Sequence, residues 1–135
     1  MKLAIIDNYD SFTWNLIEMI RERFQGEWSI FPNDQVSSRT LQAYDKILIS
    51  PGPGLPSEAG QLREILYELG PVHDILGICL GHQAIAEVYG ARLIRTEVVF
   101  HGLCSQVSIL PPADILFRGV SSPFMAGRYH SWFID

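Results

Sequence analysis

The chain has 135 residues, nearly half of them hydrophobic, and its 10 Lys and Arg against 15 Asp and Glu give a formal net charge of −5. With the acids scattered and not in runs, that balance argues against a nucleic-acid surface and against an anionic membrane, while the length suffices for one domain with a single core. Two cysteines in separate segments make no disulfide framework, and no Cys/His pair has zinc spacing. No apolar run reaches the roughly 20 residues of a membrane span, and Met1 leads into a strand pattern instead of a signal peptide, so a cytoplasmic protein without metal or cofactor is expected.

Residues 2–6 are a continuous aliphatic run and read as a strand buried on both faces, with the polar loop 7–11 at its carboxyl end. Asp10 or Ser11 can cap the helix that follows. From Phe12 to about Gln25, the residues Phe12, Leu16, Ile20 and Phe24, with Ile17 beside them, recur at helical spacing and define one apolar stripe, which Gly26 closes. Residues 27–31 alternate weakly up to Pro32 and read as a short strand, and residues 33–43 as a polar loop with a turn of helix at most. Residues 44–50 form the next strand. It runs into Pro51-Gly52-Pro53-Gly54-Leu55-Pro56, where three prolines remove backbone donors and fix φ, so this loop is stiff. Ser57 is expected to cap a helix with the stripe Leu62, Ile65, Leu66 and Leu69, ended by Gly70 and Pro71.

Residues 72–78 read as a strand and residues 80–89 as a helix, apolar on nearly every side and therefore expected to be buried, with Gly90 as its stop. Strand and helix alternating through short connections predict an α/β fold with a doubly wound, mostly parallel sheet. After Gly90 the helical period disappears. Residues 91–94, 104–110 and 124–129 read as short strands parted by loops, antiparallel additions to the sheet, and residues 132–135 as the first half of another strand.

The chemistry is expected at Gly77-Ile78-Cys79-Leu80-Gly81, where a strand gives way at once to a helix. Glycine two residues before and two after a nucleophile is the spacing of a strand-to-helix elbow, here carrying a thiol. A helix start offers free N–H groups and a positive dipole end, which favour a thiolate and can hold an oxyanion. The bland alternative is a small inert core cysteine. In an open parallel sheet ligands sit beyond the carboxyl ends of the strands, where loops 7–11, 50–56 and the Cys79 elbow all emerge. The Pro-Gly alternation at residues 51–54 suits a rigid wall with an accessible N–H, although alone it would be a surface turn. Gln83, one helical turn after Cys79, shares its face and could pair with a substrate amide or carboxylate. His73, His82, His101 and His130 carry no singular signal, a hydrogen-bonded structural histidine being the commoner case.

Ser50-Pro51-Gly52-Pro53-Gly54, the run from Gly77 to Ala86 and Gly127-Arg128-Tyr129-His130-Ser131-Trp132 together resemble the class I glutamine amidotransferases, and Asp7 to Asn15 with His101-Gly102 extend the likeness over essentially the whole chain. Within that family the pattern is similar to the small subunits of anthranilate and aminodeoxychorismate synthases. The resemblance implies the flavodoxin-like amidotransferase fold and a glutaminase half-reaction in which Cys79 attacks the side-chain amide of L-glutamine, with no cofactor. It implies an oxyanion hole from the N–H groups of Gly52 and Leu80, and glutamine binding by Gly52, Pro53, Gly54, Gln83 and the backbone at Ser131 and Trp132. Leucine is more frequent in the family where Trp132 stands. The partner it implies is a chorismate-binding synthase large subunit, which receives the ammonia. The family completes its triad with a histidine and a glutamate in a His-Pro-Glu segment, and no His-x-Glu occurs in residues 1–135. The expectation is therefore one amidotransferase domain, C-terminally truncated before that segment and at best a feeble glutaminase. The alternative is a non-catalytic partner protein that retains the docking face. A cysteine hydrolase or redox protein would share the elbow but requires neither the Pro-Gly wall nor Gln83.

Overall fold

The computed structural model describes residues 1–112 and 114–135, with the backbone alone at residues 98–100. Two compact units result, Met1–Leu93 with Ile134–Asp135, and Ile94–Phe133. The first holds β1 (Lys2–Asp7), α1 (Phe12–Arg23), β2 (Glu27–Pro32), α2 (Ser38–Leu41), β3 (Lys46–Ile49), α3 (Leu62–Leu69), β4 (Asp74–Gly77) and α4 (Leu80–Val88). Its sheet has the order β2-β1-β3-β4 and is parallel throughout, with Ile6 paired to Phe31 and Ile49, and Ile49 to Gly77. The doubly wound α/β architecture is as the sequence predicts.

Both sheet faces are covered, which is why the central strands are aliphatic without alternation. Ala4, Ile6, Ile47 and Ile49 meet Leu62, Ile65, Leu66 and Leu69 of α3 and Leu80 and Ala84 of α4 in one cluster. On the opposite face Ile5 and Leu48 pack with Ile17 of α1, and Leu3, Ile20 and Trp28 lean on them. All four predicted stripe residues of α3 are buried.

Several boundaries differ from expectation. Phe12 is not part of the buried stripe of α1: it is 52% exposed, while Thr13 and Ile17 are buried. The Thr13 hydroxyl donates to Asp7 Oδ1 at 2.8 Å, and that bond rotates the helix so that residue 13, not 12, faces the sheet. Ser11 makes no side-chain cap; Asp10 does so, its Oδ1 accepting from the Phe12 N–H at 2.7 Å. Ser57 lies inside a separate 3-10 turn, Pro56–Glu58, and α3 begins only after Gln61. Helix α4 is buried along one side, at Leu80, Gly81, Gln83 and Ala84, while Tyr89 is exposed. It stands over β4, the edge strand of this sheet.

The second unit is a two-stranded ribbon formed by β5 (Leu93–Val107) and β6 (Phe124–Ile134). Reciprocal backbone bonds between Arg92 and Asp135 make the pair antiparallel. The expected short strands at 91–94 and 104–110 are thus replaced by one long strand, and residues 91–92 and 108–110 lie outside it. The residues between them belong to the same strand, whose pairing is made by the backbone and requires no apolar period. Residues 132–135 likewise complete β6 and do not open a new element.

Candidate active site

In the strand order, β2 lies to one side of β1 and β3 to the other, so the loops leaving β1 and β3 diverge and open a crevice at their carboxyl ends. The first loop holds Asn8, which is 2% exposed. Its backbone N–H donates to Ser50 Oγ at 2.9 Å and its side-chain amide to Ser50 O at 2.8 Å, while Asn33 Nδ2 donates to Asn8 Oδ1 at 2.9 Å. Asn33 and Ser50 are buried as well, so the carboxyl ends of β1, β2 and β3 are tied by one satisfied polar network.

That network sets the Pro51-Gly52-Pro53-Gly54 wall against the elbow. A Cβ at Gly52 would overlap the Leu80 side chain and come within 2.5 Å of Asn8 Cβ, so the three loops touch at this residue and only glycine fits. Pro53 and Gly54 are exposed, and the wall ends where the Leu55 N–H donates to Glu58 Oε2 at 3.0 Å.

The elbow itself is a sharp backbone inversion. Cys79 has φ 51° and ψ −106°, a conformation that costs a non-glycine residue about 1–3 kcal/mol and that persists only where the surroundings impose it. The surroundings are specific. A Cβ at Gly77 would collide with the backbone of Gly81 and lie 2.5 Å from the His82 nitrogen; a Cβ at Gly81 would lie 2.7 Å from Ile49 O. The two glycines let α4 start directly on top of β3 and β4, and this delivers Cys79 to the exposed carboxyl edge of the sheet.

The thiol is pushed above its ordinary pKa. Desolvation is the main cause, the Asp10 carboxylate adds to it, and a hydrogen bond from the Leu80 N–H to the sulfur works against it. This corrects the expectation of a lowered thiol pKa at the helix start. Partial desolvation of the sulfur outweighs the single N–H that reaches it, although the residue stays exposed at the sheet edge.

Gln83 is 7% exposed on the same side of α4, its N–H donating to Cys79 O at 2.9 Å. Ser131 and Trp132 belong to β6 in the second unit and are half-buried there. Their carbonyls are already engaged, Ser131 O accepting from Thr96 Oγ1 at 3.1 Å and Trp132 O lying 2.9 Å from His130 Nδ1. Arg128 Nε donates to His130 Nε2 at 3.1 Å, so Nδ1 carries the proton shared with Trp132 O.

Three residues of this end were not singled out from the sequence as part of the site: Asn8, Tyr9 and Asp10. Tyr9 is a second non-glycine residue with positive φ, 60°, and its hydroxyl donates to Asp34 Oδ1 at 2.6 Å. That bond is the main reason its pKa is raised. The available signal was an Asn-Tyr-Asp run directly after a buried strand, since Asn and Asp are the side chains that tie tight turns.

Fold and site together define an α/β protein whose strand-to-helix elbow carries an exposed cysteine, with a Pro-Gly loop packed against the start of the helix. The glutamine amidotransferase class-I family model matches residues 4–135, and the chain belongs to that family. It is 41% identical to anthranilate synthase component 2 of Cyanidium caldarium over 98% of this chain and 68% of that one, and 41% identical to the protein of the same description from Thermus thermophilus, over 97% and 64%. It is 38% identical to the chloroplastic anthranilate synthase beta subunit 1 of Arabidopsis thaliana, over 98% and 49%. The chain thus spans about half to two thirds of the length of these relatives. Among crystal structures, a protein from Thermoplasma acidophilum described as part of a GMP synthase superposes with a TM-score of 0.83 at 26% identity, covering 99% of this chain and 66% of the other. A glutamine amidotransferase from Thermotoga maritima shares the fold at a TM-score of 0.80 and 17% identity, covering 100% of this chain and 62% of that one.

Proposed function

We propose that the chain is the glutamine-hydrolysing part of a synthase, with Cys79 as nucleophile. The thiolate attacks the side-chain amide carbon of L-glutamine, forming a C–S bond and an oxyanion; the C–N bond then breaks, ammonia departs with a proton from a general acid, and water hydrolyses the γ-glutamyl thioester to glutamate and free thiol. Gly52 and Leu80 supply the N–H groups that hold the oxyanion, each such donor being worth about 3 kcal/mol of barrier. Pro53 and Gly54 of the wall, Gln83, and the backbone at Ser131 and Trp132 hold glutamine. The ammonia goes to a chorismate-binding synthase subunit, for anthranilate or aminodeoxychorismate synthesis, in the cytoplasm, a compartment suited to the free thiols of Cys79 and Cys104. The names of the relatives support the anthranilate branch.

The observation that carries this reading is the left-handed Cys79 at the β4–α4 corner, with the Gly52 wall packed against Leu80 beside it. The raised thiol pKa leaves little thiolate near neutral pH and favours slow turnover. This keeps a docking protein with little turnover as the second reading.

The test is labelling with 6-diazo-5-oxo-norleucine, a glutamine-like electrophile, read by peptide mass mapping. Labelling of Cys79 but not Cys104, blocked by L-glutamine and abolished in Cys79→Ser, is the expected result. An unlabelled Cys79 in a protein that still captures a chorismate-binding synthase subunit would replace the enzyme reading with the docking one.

A further inference from the structure

The wall Pro51-Gly52-Pro53-Gly54 is poor in donors: its prolines carry none, so only Gly52 and Gly54 offer an N–H. A glycine lets the peptide planes on either side of it pivot, and at Gly52 no other residue fits, because a Cβ there would overlap the Leu80 and Asn8 side chains. The residue that packing demands is therefore the one least able to aim its own N–H. A neighbour has to fix that plane.

Ser50 is placed to do so. It is fully buried, and its own N–H is held in the sheet by Ile6 O at 3.0 Å. Its Oγ accepts from the Asn8 N–H at 2.9 Å; a hydroxyl has a single proton, and that proton goes the other way, to Pro51 O at 2.7 Å. Pro51 O belongs to the same planar peptide as the Gly52 N–H. In this trans peptide the N–H points opposite to the C=O, so a Pro51 carbonyl held toward Ser50 and Asn8 turns the Gly52 N–H away from them. Among the described residues that N–H has no acceptor. Gly54 is served differently: Glu58 accepts from the Leu55 N–H at 3.0 Å, which fixes the next plane and not the one that carries the Gly54 N–H.

We infer that Ser50 is a positioning residue of this site: its hydroxyl, clamped between the Asn8 N–H and Pro51 O, sets the Pro51–Gly52 peptide so that the Gly52 N–H is aimed in advance at the amide oxygen of the substrate as it becomes an oxyanion. The inference rests on the glutaminase reading and deepens it, by naming what aims one of the two donors. A donor fixed beforehand needs no reorganisation when charge develops, so its contribution falls on the transition state and not on substrate binding.

The experiment compares the wild-type protein with Ser50→Ala in two assays: glutamate release from L-glutamine, followed by mass spectrometry so that slow turnover is read, and alkylation of Cys79 by iodoacetamide. Iodoacetamide delivers its methylene carbon to the sulfur with loss of iodide and builds no oxyanion, so it reports only on the thiol and its surroundings. In S50A kcat should fall roughly 10- to 100-fold, less than for loss of a whole donor because the N–H is misaimed and not removed, while KM and alkylation stay nearly unchanged. Ser50→Cys, of similar size and with a weak S–H donor, should lie between the two. A wild-type kcat in S50A overturns the inference and leaves the glutaminase reading standing. A loss carried by KM, or matched by an equal loss of alkylation, also overturns it, because Ser50 would then be shaping the pocket or the thiol. If S50A shows no cooperative urea transition, S50C is read in its place, and a wild-type kcat there overturns the inference equally. No glutamate release from the wild-type protein would overturn both.

Discussion

Asn8 shows how much of this site is held by polar atoms that never meet a substrate. Its three hydrogen bonds join the ends of three strands inside a region shielded from water. Asn8→Ala would leave Ser50 O and the Asn33 amide without those partners, and a buried group deprived of its partner costs about 1–3 kcal/mol. The urea midpoint should fall accordingly, and Cys79 should lose its glutamine-dependent protection as the wall drifts from Leu80. The neighbouring Cys79 illustrates what a sequence can and cannot say about one residue. Its place on an elbow was legible because the glycines answer to contacts two residues away, as the Gly77–Gly81 approach shows. The direction of its pKa was not, because desolvation depends on what the rest of the fold packs around the sulfur. Asn8 was hidden for the same reason, since its partners stand 25 and 42 residues away.

Among the elements, the buried stripe of α3 was legible in full, though not the helix start, and that of α1 only in part. The α3 stripe has an unbroken apolar period and one sheet face to meet, so Leu62, Ile65, Leu66 and Leu69 could only turn inward. In α1 the outward Phe12 and Trp14 and the inward Thr13 break the period, and a single hydroxyl-to-carboxylate bond decides the rotation. The two helices therefore predict opposite responses to truncation. Ile65→Ala empties a fully packed position and should cost about 2–5 kcal/mol in chemical denaturation, whereas Trp14→Ala, from a position 63% exposed, should stay within about 0.5 kcal/mol despite removing a larger side chain. The ribbon β5–β6 escaped segment-by-segment reading because its pairing is dictated by the partner strand, and Gly102, at φ 75°, sits within β5 without ending it.

For the parallel-sheet unit as a whole, the two ends of the sheet are different materials. The amino end carries exposed ion pairs, Met1 with Asp45, Lys2 with Glu27 and Lys46 with Asp74, in line with the strand starts. The carboxyl end carries strained backbone, buried amides and the thiol. Lys46 donates to Asp74 at 2.6 Å and, through that bond and its charge, holds the Asp74 carboxyl below its usual range. A depressed carboxyl contributes stability that is present above the unfolded value of about 4 and is lost as pH falls through the folded one. Asp74→Asn should thus leave the urea midpoint at pH 7 almost unmoved, since exposed pairs contribute little, and should flatten its decline below about pH 4. Cys79 alkylation should be the same in both proteins. This division of labour has a practical corollary. Lys2 and Lys46 both stand exposed at the charged end, so a bead, dye or carrier coupled through their side chains would grip this unit by its inert base, at the opposite end of the sheet from the Cys79 bend.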